Sequence, residues 1–293
     1  MIVVGVAASE RRFGAQSMVS PLRDVLVKRP GPAFARAFDD PAHGFIHPVD
    51  TDEAWRQHDA LCQILIDLDV AVHELQSENA SPDLVYTFDP ALVTERGAIL
   101  LRPGKPSRRD EPQALAGWFT AHGIPIAGAI EAPGTVEGGD TMWLRPDLFC
   151  IGRSLRTNDA GADQLAALVD GEVRTFDVPY ANGPGECLHL LSLISPVADG
   201  AAVVHLPMLP AGLYELLHDL DFDLIPVPPE EMPTLGCNVL VVQPGVLIMA
   251  EGNPITQGAL TGRGFEVRTF KADEIGMNGG GGPTCLTRPV FRA

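Results

Sequence analysis

NVLVVQPGVLIM, residues Asn238 to Met249, is two apolar stretches broken by Gln243-Pro244-Gly245. Proline and glycine punctuate a chain, so the segment reads as a β-hairpin with a polar residue, Asn238, at its entrance. The same design recurs. Leu84 to Val93 turns at Thr94-Glu95-Arg96-Gly97 into Ala98 to Leu101, and Thr141 to Leu144 turns at Arg145-Pro146-Asp147 into Leu148 to Ile151. His189 to Ile194 turns at Pro196 to Gly200 into Ala201 to Val204. Asp89, Asp140, His189, Asn238 and Cys285 occupy similar places in successive units, at intervals of 51, 49, 49 and 47 residues. A near-constant period of this size predicts a circular repeat of strand-and-helix units. The fifth unit has its last strand starting at Cys285, and Leu22 to Gly31 can supply its companion, joining the two ends of the chain. Helical spacing of apolar residues over Asp110 to His122 fills the first interval, and the same spacing over Asp52 to Leu68 precedes Asp89.

The chain has 293 residues, of which 45% are hydrophobic and 20% charged. This size suits one large globular domain or two, and a single domain spanning 1–293 is expected. A net charge of -17, from 38 acids against 21 bases, repels phosphate backbones and anionic lipid. No nucleic-acid or membrane partner is therefore expected. The apolar opening lacks a preceding basic residue, and acids and prolines interrupt the other apolar runs, so neither a signal peptide nor a transmembrane helix is read. Five cysteines, an odd number without a Cys-x-x-Cys pair, suit a reducing cytoplasm. Cys150, Cys187 and Cys237 sit among apolar strand residues and read as packing.

Cys285 is different. Gly279-Gly280-Gly281-Gly282-Pro283-Thr284 leads into it, and Cys285-Leu286-Thr287-Arg288-Pro289-Val290-Phe291 reads as a short alternating strand with Cys285 at its start, so the glycines form a mount. The facing polar set then holds a thiol, an imidazole and carboxylates, which is what nucleophilic catalysis by cysteine needs. His43, His47, His58, His73, His122, His205 and His218 lie outside this pattern and read as core or surface residues.

Four ordered motifs carry a resemblance across Pro21 to Pro289. They are Leu101-Arg102-Pro103-Gly104-Lys105-Pro106-Ser107-Arg108-Arg109, Glu137-Gly138-Gly139-Asp140, Cys187-Leu188-His189-Leu190 and Gly281-Gly282-Pro283-Thr284-Cys285. Together they resemble the guanidino-group-modifying superfamily, nearest its dimethylarginine dimethylaminohydrolases, with an ending closer to arginine deiminases. The resemblance implies a five-bladed pseudo-symmetric α/β propeller, the pentein fold. It implies Cys285 as nucleophile, His189 as general acid and base, and Glu137 as the carboxylate supporting His189. Asp89 would grip the guanidinium, with Phe88 and Asp140 beside it. Arg108 and Arg156 would bind the α-carboxylate of the substrate, and Asp83 its α-amino group. The chemistry uses no metal or organic cofactor, and a homodimer is compatible with the family.

Three positions depart from the relatives: Phe88 and Gly280 where many dimethylarginine hydrolases carry acids, and Leu191 where deiminases carry Asp. A pocket poorer in acceptors is expected, one that favours alkylated guanidino groups over arginine. The favoured reading is a hydrolase of a guanidino amino acid that releases an amine and a ureido product such as citrulline. Arginine deimination or amidino transfer is the alternative, and a non-catalytic binding module of the same fold is disfavoured by the Cys-His-Glu set.

Overall fold

The computed structural model describes residues 13–180, 183 and 188–293. The chain opens with β1 (Leu22–Val27), a one-turn helix α1 (Pro32–Ala35), α2 (Thr51–Asp67) and β2 (Ala71–Glu74). Four similar units follow. The first is β3 (Ala91–Thr94), β4 (Gly97–Leu100), α3 (Glu111–Ala121) and β5 (Ile126–Ala129). The next is β6 (Thr141–Arg145), β7 (Leu148–Arg153), α4 (Asp159–Leu168) and β8 (Glu172–Asp177). Then come β9 (Ile194–Ala198), β10 (Ala201–Val204), α5 (Ala211–Asp219) and β11 (Asp223–Pro226). The last unit is β12 (Val239–Gln243), β13 (Val246–Ala250), α6 (Pro254–Thr261) and β14 (Glu266–Phe270), after which β15 (Arg288–Arg292) ends the fold.

These strands form five three-stranded sheets. In each of the four units an antiparallel hairpin is followed by a helical crossover to a parallel third strand, as β6, β7 and β8 illustrate. The fifth sheet joins the chain ends, because β15 pairs antiparallel with β1 and β1 pairs parallel with β2. The closing strand expected from Leu22 onward is thus in place. Burial grades across each sheet: β3 is buried throughout, whereas β8 (Glu-Val-Arg-Thr-Phe-Asp) alternates between exposed and half-buried. Continuous apolar strands such as Val239-Leu240-Val241-Val242 suit a position covered on both faces, and alternating ones an outer edge. Helix α2 packs Ala54, Leu61 and Leu65 inward and is capped by Asp50, which accepts the Glu53 N–H at 3.0 Å.

Three local expectations differ. Leu84 to Asp89 is not strand: Ser81 caps a 3₁₀ turn over Pro82–Val85, with proline at its first position, and the strand begins only at Ala91. The third hairpin runs through Pro196 to Ala198, and its turn is the Asp199-Gly200 pair. Cys285 precedes its strand, in a turn closed by Leu286 N–H to the Gly282 carbonyl at 3.0 Å. Cys150 and Cys237 are buried among apolar side chains as read, and Cys187 lies outside the described residues. No helix among the described residues is long and apolar enough to cross a membrane.

A buried carboxylate ties the last unit to its helix. Glu231 accepts from Ile255 N–H at 2.7 Å and from the N–H and hydroxyl of Thr256 at 2.9 and 2.6 Å, anchoring the loop that carries Met232, Leu235 and Asn238. Hydrogen bonds to a charged group are worth about 1.5 to 3 kcal/mol. Glu231→Ala should therefore lower the thermal midpoint clearly in a melting experiment, and Glu231→Gln, which keeps part of the network, should lower it less.

Candidate active site

The polar residues of the repeat sit in the loops that lead into the innermost strand of each sheet. A cleft of about 230 Å³ opens among these loops, lined by Gly139, His189, Asn238, Gly280 and Cys285, with Leu188, Leu191, Met232 and Leu235 as an apolar wall. Cys285 and His189 thus face one space, and none of the other seven histidines lines it.

Glu137 is completely buried beneath His189. Its Oε2 lies 2.8 Å from His189 Nε2. Its Oε1 accepts the Lys105 N–H at 3.0 Å, and Arg156 Nη1 donates to both oxygens at 3.2 and 3.3 Å. Burial alone would raise the Glu137 carboxyl, but the His189 hydrogen bond and charge, with Arg108 and Arg156, hold it well below the usual carboxylate range. Burial in turn disfavours the imidazolium, yet Asp140, Glu137 and Asp89 outweigh it and raise His189 to about 9. The pair is an ion pair at neutral pH. A backbone this close tolerates no side chain, since a Cβ at Gly139 would stand 2.5 Å from His189 Nδ1.

The thiol has the opposite bias. Burial, then the nearby Asp89 charge, pushes Cys285 up to about 12 against the pull of Asn238, the Gly282 N–H and Arg108. Asn238 Nδ2 lies 3.3 Å from Cys285 Sγ while its Oδ1 accepts the Thr284 N–H at 3.0 Å, so one amide fixes both the sulfur and the turn beneath it. The glycine mount is steric: a Cβ at Gly282 would meet Asn238 at 2.6 Å, and one at Gly281 would meet the Tyr86 ring at 2.5 Å. The protein alone thus holds a neutral thiol beside an imidazolium.

The remaining expected residues divide. Asp89 is buried with Oδ2 on Arg108 Nη1 at 2.7 Å and Oδ1 on the Gly139 N–H at 2.8 Å, which aims it from the same glycine that supports His189. Asp83 pairs with Lys105 Nζ at 2.6 Å, and Lys105 also donates to the His43 carbonyl at 2.9 Å. Three residues depart from the roles expected of them. Arg108 is buried with its fork on Glu111, Asp89 and the Asp83 and Tyr86 carbonyls, so it holds protein groups where a carboxylate clamp was expected. Asp140 accepts from Ser154 and Thr157 hydroxyls at 2.6 and 2.7 Å and from Leu190 N–H at 2.9 Å, which makes it a positioning residue for the His189 loop. Phe88 turns its ring away from the cleft and onto the Arg288 guanidinium, 4.0 Å from the ring centre. Leu191 and Gly280 do line the cleft.

Lys105, Glu111 and Asn238 are neighbours of the site to which the sequence reading assigns no role. Lys105 stood inside a quoted motif, and Glu111 follows Arg108 by three residues, the spacing that pairs side chains on a helical turn. Burial raises Glu111 to about 7 against the pull of Arg108 and Ser81.

The family described as N,N dimethylarginine dimethylhydrolase, eukaryotic, matches residues 45–292. The N(G),N(G)-dimethylarginine dimethylaminohydrolase of Pseudomonas aeruginosa is 33% identical over 239 residues, 81% of this chain and 89% of that protein. Its Streptomyces coelicolor counterpart is 30% identical over 247 residues, 84% and 89% of the two chains. The solved structure of a Pseudomonas aeruginosa variant bound to citrulline superposes with a TM-score of 0.76 at 27% identity, covering 92% of this chain and 100% of that one. Fold, site and these likenesses define a guanidino-group-modifying enzyme. Within that class, the chain belongs to the dimethylarginine dimethylaminohydrolase family.

The raised His189 predicts a pH profile. Because its folded pKa of about 9 lies above the ordinary 6.5, the imidazolium is present at neutral pH and is lost as pH rises through about 9. The stability that the ion pair contributes follows the same sign, full below about 6.5 and gone above about 9. Glu137→Gln should move the basic limb of kcat/KM down by roughly one unit or more. An unmoved limb would show that Glu137 does not set the histidine.

Proposed function

We propose that this protein hydrolyses N-methylated arginine to citrulline and a methylamine through an amidino-thioether on Cys285. The observation that carries the proposal is the Glu137–His189 ion pair opening with Cys285 onto one cleft. We further propose that the five sheets are the blades of a propeller in a single domain, with the site at its centre.

The bound guanidinium supplies the positive charge that the thiol lacks. Its entry favours loss of the Cys285 proton to solvent, one cation replacing another in the site. The thiolate then attacks the guanidino carbon from about 3 to 3.5 Å, and the C–S bond forms as the C=N electrons move to nitrogen. With Nε2 committed to Glu137, Nδ1 of His189 carries the proton to the dialkylated nitrogen. The C–N bond breaks, a neutral amine departs, and an amidino-thioether remains beside a neutral imidazole. Water enters, His189 takes its proton, and hydroxide adds to the same carbon. As the C–S bond breaks, the hydroxyl proton passes to the departing sulfur, which leaves a ureido group with its C=O bond and restores the neutral Cys285 thiol beside a protonated His189. Asp89 receives the guanidinium, held in aim by Arg108 and Gly139.

The apolar wall of Leu191, Met232 and Leu235 favours methylated over bare guanidino groups, since an unmethylated guanidinium brings five N–H donors to a wall with no acceptors. At the amino-acid end, Arg156 takes the α-carboxylate and Asp83, beside Lys105, the α-ammonium.

Two measurements test this. Purified protein incubated with dimethylarginine, monomethylarginine and arginine should give citrulline with matching methylamine, the methylated substrates having the higher kcat/KM. Cys285→Ser should give none. A higher kcat/KM on arginine with release of ammonia would overturn the substrate assignment, and activity in Cys285→Ser would overturn the mechanism. Arg156→Ala should lower kcat/KM by roughly one to two decades, the worth of one charge-assisted contact. An equal loss on agmatine, which has no carboxylate, would assign Arg156 to Glu137 alone.

A further inference from the structure

A second cavity lies among the inner strands of four sheets, lined in part by Phe88, Trp143, Val241, Thr284, Arg288 and Arg292, and shares no lining residue with the catalytic cleft. Two guanidinium groups border it. Arg288 is 4% exposed and Arg292 8%. Arg288 Nη1 donates to the Phe88 carbonyl at 2.9 Å and to the Ala91 carbonyl, and its guanidinium lies over the Phe88 ring. Arg292 donates to the Ser20 carbonyl and, through Nη2, to the Val241 carbonyl at 2.9 Å. The Nε–H of each has no hydrogen-bond partner among the described residues.

Every one of these acceptors is neutral. Among the described residues, Asp89 is the one carboxylate whose charge reaches Arg288, and it is already paired with Arg108. Burial, with mutual repulsion at Arg288, pushes both guanidiniums down to about 9, which leaves them charged at neutral pH. Arginine is almost never fully buried unless paired, and two like charges in one apolar cavity raise the cost further. A water molecule can accept from each Nε–H, but it cannot neutralise either charge. The cavity's free volume is about 20 Å³. A space of that size takes one or two water-sized species, which excludes bulky anions.

We propose that this cavity binds one small monovalent anion of halide size between Arg288 and Arg292. Chloride is the natural occupant by charge and size. It would neutralise the pair where the walls, among the described residues, give no carboxylate. Because Arg288 also holds the Phe88 carbonyl, next to Asp89 in the chain, the ion would brace the back of the wall that receives the guanidinium.

Crystals of the full chain soaked in sodium bromide and measured at the bromine edge should give an anomalous peak within about 4 Å of both guanidinium groups, a distance typical of direct charged contact. In solution, the melting temperature should rise by a few degrees and saturate with chloride or bromide at constant ionic strength. Gluconate, too large to enter, should give no such rise, and Arg292→Met should lose the halide response. Equal responses to chloride and gluconate, or a bromide map without the peak, would overturn the proposal. Should Arg292→Met fail to fold, the bromide map of the wild type decides.

Discussion

The ion pair between Glu137 and His189 is the interaction on which the rest of the site is built. A carboxylate with no solvent contact is costly unless its lone pairs are met, and here His189, Arg156 and the Lys105 N–H meet them. Each brings in another part of the site. Lys105 reaches Asp83, Asp140 seats the Leu190 N–H beside the imidazole, and Gly139 joins the histidine to Asp89. Removing the buried carboxylate would leave a cation network without its centre.

The repeat makes this convergence possible. Each unit contributes one loop that enters an inner, largely buried strand, so five loops distant in sequence meet, and no single unit could assemble the set alone. The apolar inner strands hold the loops in place while the outer strands and helices take up contact with water. The thiol, set in the turn before the closing strand, is fixed by Asn238 from the neighbouring unit, and the glycines that precede it are there because Tyr86 and Asn238 leave no room for a Cβ.

Periodicity made the architecture legible: the 47 to 51 residue spacing of Asp89, Asp140, His189, Asn238 and Cys285 placed the loops, and the pairing of β15 with β1 joins the ends as read. The Glu137, His189 and Cys285 grouping was legible through local wording. Side-chain direction was not. Phe88 and Asp89 are adjacent, yet one ring turns to Arg288 and the other carboxylate to Arg108, a choice set by burial of two arginines far apart in sequence. Arg108 read as a clamp because the motif gave its type and not its partners, and Glu111, three residues on, claims its fork. The strand read over Leu84 to Val93 begins only at Ala91, because Ser81-Pro82 starts a 3₁₀ turn that an apolar run conceals.

The central claim is that substrate charge creates the nucleophile, since the protein alone holds Cys285 at about 12. The direct test compares inactivation by neutral iodoacetamide and by cationic chloroacetamidine across a pH series, with the adduct mapped to Cys285. The account predicts that the neutral reagent's rate keeps climbing through alkaline pH without a plateau, whereas the cationic reagent's rate levels off near neutrality. Identical profiles for the two reagents, both levelling near neutrality, would mean that the thiolate is preformed and would contradict it.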